Sequence, residues 1–280
     1  MFEKNYGKYW IPERLKQLVE LQQQLNDSGQ LKYGDLLGYY FSNEGIENRY
    51  LNTPLDVIPF ARPGVDGIHF GFLTDFGQVD DLNNAYIVRV RPMDFDSPVH
   101  IVASNIDDFI RNICYFPNAM DMLDMTSSEE DIIAFLKEFS RLPTEDILTK
   151  EEYMIQRSVI EKLKLETIKN FGKYFSKLHQ QRHLDTILPT KDHLRIVANG
   201  LTLEEVQNNN VYFDHEGVDQ LSISEVSSFF EMASYSAKLV FLREIQSRGL
   251  IWDNDVIKIY LKDQLRIMNL IDEAERILYP

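Results

Sequence analysis

Between residues 56 and 74, two apolar runs meet through the corner Pro63-Gly64-Val65-Asp66-Gly67, a pattern that leaves this part of the chain few alternatives to a β-hairpin. Pro63 fixes its own φ, Gly64 and Gly67 accept positive φ, and Asp66 can hydrogen-bond its own backbone, so the corner has a turn mechanism. Beyond it, Ile68, Phe70 and Phe72 alternate with His69, Gly71 and Leu73, which predicts a half-buried strand. Val57–Ala61 forms the preceding strand candidate. Ala85–Val90 and Val99–Ala103 add two more, with Leu82-Asn83-Asn84 as a turn before the first of them. Connections this short imply antiparallel pairing, because a parallel pair needs a crossover of about a dozen residues or more.

Helical signals flank these strands. Pro12 sits where a first helical residue would, and Leu15, Leu18, Val19 and Leu25 form one stripe until Asn26-Asp27-Ser28-Gly29 ends it. Residues 33–53, rich in Tyr, Gly and Asn without a steady period, are expected to hold a second short helix and a loop. Asn105 can cap a helix carrying Ile106, Phe109, Ile110 and Ile113, and Ser127-Ser128-Glu129-Glu130 opens another. The same form recurs at Thr149, Thr202 and Ser222. Thr149 starts a long segment lined by Val159, Leu163, Phe171, Phe175 and Leu178, and Ser222 leads into Val226, Phe229, Phe230, Ala233, Ala237, Val240 and Phe241. The expected fold is α+β: an antiparallel sheet with packed helices over residues 1–120, then a mostly α-helical domain over 121–280. With no repeat and no Gly/Ser linker, the join falls at 117–128, where Met120, Met122 and Met125 can pack on either side.

Charge narrows the partners. The chain of 280 residues carries a formal net charge of −15, which disfavours nucleic acid and anionic membranes as partners. The excess is uneven: residues 1–140 hold 11 basic and 22 acidic side chains, residues 141–280 hold 18 and 22. A soluble acidic surface explains this as simply as a surface that captures a basic partner does. The single cysteine, Cys114, excludes an intrachain disulfide and follows Ile113 on a predicted helix, so it reads as a small core residue in a reducing compartment. The start Met1-Phe2-Glu3-Lys4 lacks an apolar leader and no run reaches the roughly 18 apolar residues of a span, so a soluble cytoplasmic protein is expected.

The motifs for chemistry are sparse. There is no Walker loop, dinucleotide fingerprint, nucleophile elbow or zincin helix. His179 and His183 stand one helical turn apart and could share a metal, but Arg182 lies between them, so a solvated face is the simpler reading. Asp75-Phe76-Gly77 copies the magnesium-binding tripeptide of protein kinases without the rest of that site. Asp75, Asp80, Asp81, Asp94 and Asp96 read as an acidic rim on loops, open to Lys and Arg of a partner, with a divalent cation as the alternative. His69 and His100 could meet near Asp66 for acid–base work. Trp10, Tyr39, Tyr40, Phe41 and Tyr50 suit a binding hot spot if exposed and a core if not.

Pro59-Phe60-Ala61, the Gly64–Gly67 turn and the Ile68–Leu73 strand together resemble the SUKH superfamily, which gathers bacterial toxin-immunity proteins with a fungal regulator of cell-wall synthesis. Pro98–Ser104 leading into Asn105–Ile110 is similar to that family's last strand and closing helix, and Gly38–Gly45 loosely to its helix-to-Asn-Gly entry, although the usual Leu-Pro is absent. The resemblance covers roughly residues 10–116 and implies a non-enzymatic protein-binding module, an inhibitor of a bacterial toxin or a regulatory protein, without a cofactor. Asp66, His69, Asp75, Asp80, Asp81, Asp94 and Asp96 are the expected partner-binding residues, facing a protein partner such as a basic toxin. The alternative is a metal-dependent hydrolase built on His179 and His183 or on Asp66, His69 and His100.

Overall fold

The structure, a computed structural model, describes residues 3–44, 49–94, 97–115, 148–166, 168–197, 220–252 and 254–278, with 134, 137 and 213 as isolated positions. After α1 (Glu3–Tyr6) and α2 (Glu13–Asp27) comes a five-stranded antiparallel meander: β1 (Tyr40–Phe41), β2 (Val57–Arg62), β3 (His69–Leu73), β4 (Tyr86–Val90) and β5 (Val99–Ala103). Helix α3 (Ile106–Tyr115) follows, then α4 (Lys150–Leu163), α5 (Phe171–Leu184) and a small ribbon of β6 (Thr186–Leu188) and β7 (Ile196–Val197). Helices α6 (Ile223–Met232), α7 (Tyr235–Ser247), α8 (Asp255–Ile267) and α9 (Ile271–Arg276) close the chain. The fold is α+β, with helices packed on an antiparallel sheet and a helical C-terminal part. Among the described residues, no helix is long and apolar enough to cross a membrane.

The four strands expected from alternation are all present, but the sheet is buried on both sides. Every residue of β3 is buried. On one face Phe60 and Phe70 meet Phe109 of α3, with ring centroids 5.6 and 5.0 Å apart, and Phe72 lies against Phe60 at 4.4 Å. Burying each such ring contributes about 2–3 kcal/mol, so this aromatic layer is the main anchor of α3. The opposite face carries His69, Gly71 and Leu73, paired with Val90, Val88 and Tyr86. There Arg182 of α5 lies 5.3 Å from the Tyr86 ring, and Thr53 of the 49–56 segment bonds His69. Cover on both faces is what turns a pattern predicted as half-buried into a fully buried strand.

Local capping explains several boundaries. Asn105 accepts the Asp108 amide at 2.9 Å, and Thr149 with Glu152 forms a reciprocal capping box. The long segment expected after Thr149 is two helices, because Lys164 adopts left-handed φ of 53° and Asn170 caps a new start. The stretch after Ser222 likewise breaks at Ala233, where Ser234 caps α7, and Ser222 itself makes no side-chain cap. No helix lies in the described part of residues 33–53. Instead Tyr40 and Phe41 form the edge strand β1, whose outward Phe41 amide and carbonyl are both met by the Gln22 side chain of α2. Covering those groups blunts an edge that would otherwise template pairing. Within the helix expected from Ser127, Ala134 and Lys137 are helical and its other residues lie outside the described ones, as do the start at Thr202 and the Met120–Met125 cluster.

Two apolar cores result, and each draws on both sides of residue 120. The sheet core takes in Val159, Leu163, Phe171, Phe175 and Leu178, while the core of the last four helices takes in Leu55 and Phe76. Between them sits a buried ionic joint. Arg243 of α7 grips Asp56 at 2.7 and 3.2 Å, and Arg182 of α5 grips Asp75 at 2.6 and 2.8 Å. Asp192 lies 3.5 Å from Arg243, whose guanidinium also covers the Phe76 ring at 4.8 Å. Asp75 and Phe76 both hold positive φ, 50° and 53°, a conformation that costs about 1–2 kcal/mol per non-glycine residue. The ion pairs and the Phe76 amide, which donates to Asp56 at 3.3 Å, hold the loop there.

Candidate functional site

Meander topology separates the expected partner-binding residues. The β2–β3 turn with Asp66 and the β4–β5 loop with Asp94 lie at one end of the sheet, whereas Asp75, Asp80 and Asp81 lie on the β3–β4 connection at the other. Five-residue strands put these ends about 17 Å apart. Asp66, Asp80 and Asp81 are exposed, Asp94 is half-buried and bonded to the Ser97 amide at 3.1 Å, and Asp96 lies outside the described residues. Asp75 is only 6 % exposed and His69 only 1 %, so neither presents its side chain to a partner. Asp75 turns inward because Arg182 neutralises it there, and His69 because the 49–56 segment crosses over its strand.

The feature that does gather interface chemistry is a concavity at the hairpin end. It encloses about 340 Å³ and is lined by Tyr40, Tyr50, Arg62, Gly64, Val65, Gly67, Ile68 and His69. Its form follows from the two turn glycines. A β-carbon at Gly64, where φ is 83°, would stand 3.0 Å from the Tyr40 ring, and one at Gly67, where φ is 68°, would stand 2.5 Å from the Tyr50 ring. The absent side chains therefore let two tyrosines lie against the turn backbone as opposite walls. Tyr40 is fixed by its hydroxyl, which donates to the Tyr33 carbonyl at 3.1 Å, and Tyr50 by stacking on His69 with centroids 5.8 Å apart. Val65 is exposed at the lip, and Arg62, directly across from Tyr40 in the β1–β2 register, is exposed beside it. Tyr39 and Phe41 belong to the core, and Trp10 stands 91 % exposed outside the concavity.

His69 is the inner support of this site. The Gly67 carbonyl can only accept, so Nδ1 carries the proton at 2.9 Å, and Nε2 accepts from the Thr53 hydroxyl at 3.1 Å. Burial, opposed by the Gly67 bond and aided by Arg49, pushes its pKa down to about 4 from the ordinary 6.5. A folded pKa below the unfolded one gives stability that is complete above 6.5 and lost as pH falls toward 4. We expect acidification from pH 7 to 5 to lower unfolding free energy by on the order of 2 kcal/mol, read from urea midpoints, with a shallower loss in His69→Gln. Equal slopes in the two proteins would remove His69 from this account.

The other candidate chemistries do not assemble. His69 pairs with Val90 and His100 with Arg89, and since neighbouring positions face opposite ways the two imidazoles lie on opposite faces of the sheet. On α5, His179 and His183 are exposed, while His183 bonds Arg195 and the intervening Arg182 points inward to Asp75. Among the described residues, no group of three His, Cys, Asp or Glu side chains could hold a metal ion. The kinase-like tripeptide at 75–77 is part of the ionic joint. Cys114 is buried and its thiol is pushed up to about 12 by desolvation, as suits a core residue. Comparison with known proteins finds no protein-family model that matches the chain and no curated protein with significant sequence similarity.

Proposed function

We propose that this chain is a non-enzymatic protein-binding module that docks a partner on the hairpin end of its sheet, in the toxin-immunity or regulatory role that its SUKH resemblance implies. The observation that carries this reading is the tyrosine-walled concavity with Arg62 and Val65 at its lip. Tyr and Arg supply most of the binding energy in known interfaces, and rigid walls cost little entropy to order. A net charge of −15 and the exposed Asp66 beside the site favour a basic partner, drawn in by electrostatic steering. A toxin that cleaves or modifies nucleic acid is such a partner, since its cleft must be basic to hold phosphate. A lone buried cysteine fits a reducing compartment, and we place the protein in the cytoplasm.

The test is affinity capture with wild type beside Tyr50→Ala and Val65→Asp, followed by calorimetry on the purified partner. Tyr50→Ala is expected to weaken binding by about 2 kcal/mol or more, roughly 30-fold, and raised salt to slow association. Asp80→Asn with Asp81→Asn, at the far end of the sheet, is expected to change affinity less than about threefold. A partner held equally well by Tyr50→Ala and Val65→Asp would refute docking at the hairpin.

A further inference from the structure

We infer that the hairpin concavity is an acceptor for a carboxylate, and that the partner anchors itself there by one Asp or Glu side chain seated on Arg62. This rests on the protein-binding reading and specifies its central contact. Among the described residues lining the concavity, Arg62 carries the only formal charge at neutral pH, because burial of the His69 ring disfavours its protonated form. Among the described residues, the guanidinium of Arg62 has no hydrogen-bond or ion-pair partner, unlike Arg14, Arg49, Arg111, Arg182, Arg243 and Arg276, each of which is committed to a carboxylate or carbonyl. Its five N–H donors are therefore free to form a bidentate fork with a planar carboxylate. The Tyr50 hydroxyl, also without a hydrogen-bond partner among the described residues, adds a donor to the lining, whereas the Tyr40 hydroxyl spends its proton on Tyr33.

Donors dominate the lining itself, and none of its described residues is a carboxylate, the exposed Asp66 of the turn standing beside the concavity and not in it, so an incoming ammonium or guanidinium would find no carboxylate partner within it. A phosphate dianion fits less well than a carboxylate, since one cation would have to offset two charges in a chain already at −15. Arg62 thus provides a local inversion of sign within an acidic protein. A basic partner steered by the outer field is fixed in register only when its single acidic side chain reaches this point, which supplies specificity that net charge alone lacks.

The experiment uses the full chain, isotope-labelled, and follows the Arg62 side-chain Nε–H and the Gly64 and Gly67 amides by NMR during titration. The probes are glutamate, glutamine and lysine blocked at both backbone ends, together with inorganic phosphate. Blocked glutamate is expected to give saturable shifts at all three reporters, with blocked glutamine about tenfold weaker and blocked lysine without effect. In Arg62→Gln, an exposed position whose change leaves the remaining amide spectrum in place, the glutamate response is expected to vanish. Equal responses to glutamate and glutamine, a response to lysine, tighter binding of phosphate than of glutamate, or an undiminished response in Arg62→Gln would each overturn the assignment. Loss of the partner in Tyr50→Ala but full retention in Arg62→Gln would sink the carboxylate anchor while leaving the docking surface intact.

Discussion

Replacing Arg243 by methionine is expected to cost the folded protein about 3–5 kcal/mol, the range for breaking a buried ion pair by removing one partner. Arg243 is 3 % exposed and stands among Asp56, Asp75 and Asp192, at 2.7, 3.9 and 3.5 Å. Those three carboxylates hold its pKa above the ordinary arginine value against the opposing pull of burial, so the cation is fixed. Methionine keeps the stem but leaves Asp56, buried at 0 % exposure, without its ion-pair partner. The expected result is a urea midpoint shifted far to lower denaturant. Adding Asp56→Asn should recover part of the loss, because the penalty belongs to the stranded anion and not to the missing bond. If the double variant is as unstable as the two single losses summed, the joint is not a coupled pair.

Alanine at Gly71 is expected to destabilise by about 1–3 kcal/mol although it adds a single methyl group. Gly71 lies mid-strand opposite Val88 and Pro59, beside the register shift in β2. A β-carbon there would meet Val57 Cγ1 at 2.5 Å and the Ile58 carbonyl oxygen at 2.9 Å, and the second of these is backbone that cannot rotate away. Gly249→Ala is the control. It has positive φ of 71° but open space around it, so it reports left-handed strain without a clash. Thermal melts in which the two variants fell by the same amount would show that close strand approach is not what reserves position 71 for glycine.

What was readable in advance was local. The Pro63–Gly67 corner, the four principal strands, the Asn105 cap and the Thr149 capping box each depend on residues within a few positions of one another, and propensity with hydrogen bonding settles them. The edge strand at Tyr40–Phe41 was not readable, because what stabilises two extended residues is Gln22 from α2 and pairing with β2. Arg182 carries no local sign that it faces inward. Its role exists only because Asp75, 107 positions away in sequence, is brought against it.

The same division applies to the candidate site. Tyr40 and Tyr50 stand out by residue type, and Gly64 and Gly67 by turn chemistry, but nothing in the order of residues says that each tyrosine lies on one of those glycines. Arg62 carries no signal of its own in the sequence, because a strand-end arginine is ordinary until its neighbours are known. The acidic residues looked like one rim because they are close in sequence, yet a meander sends successive loops to alternate ends of the sheet.

The amino-acid order alone determined the hairpin, the antiparallel pairing and the acidic character, since periodicity, turn stereochemistry and charge are properties of short stretches or of totals. Only the tertiary structure decided which charges face water and which are buried in pairs, and which side chains share a concavity. Those outcomes depend on distances between segments remote in sequence, where desolvation and Coulomb energy change steeply over a few ångströms.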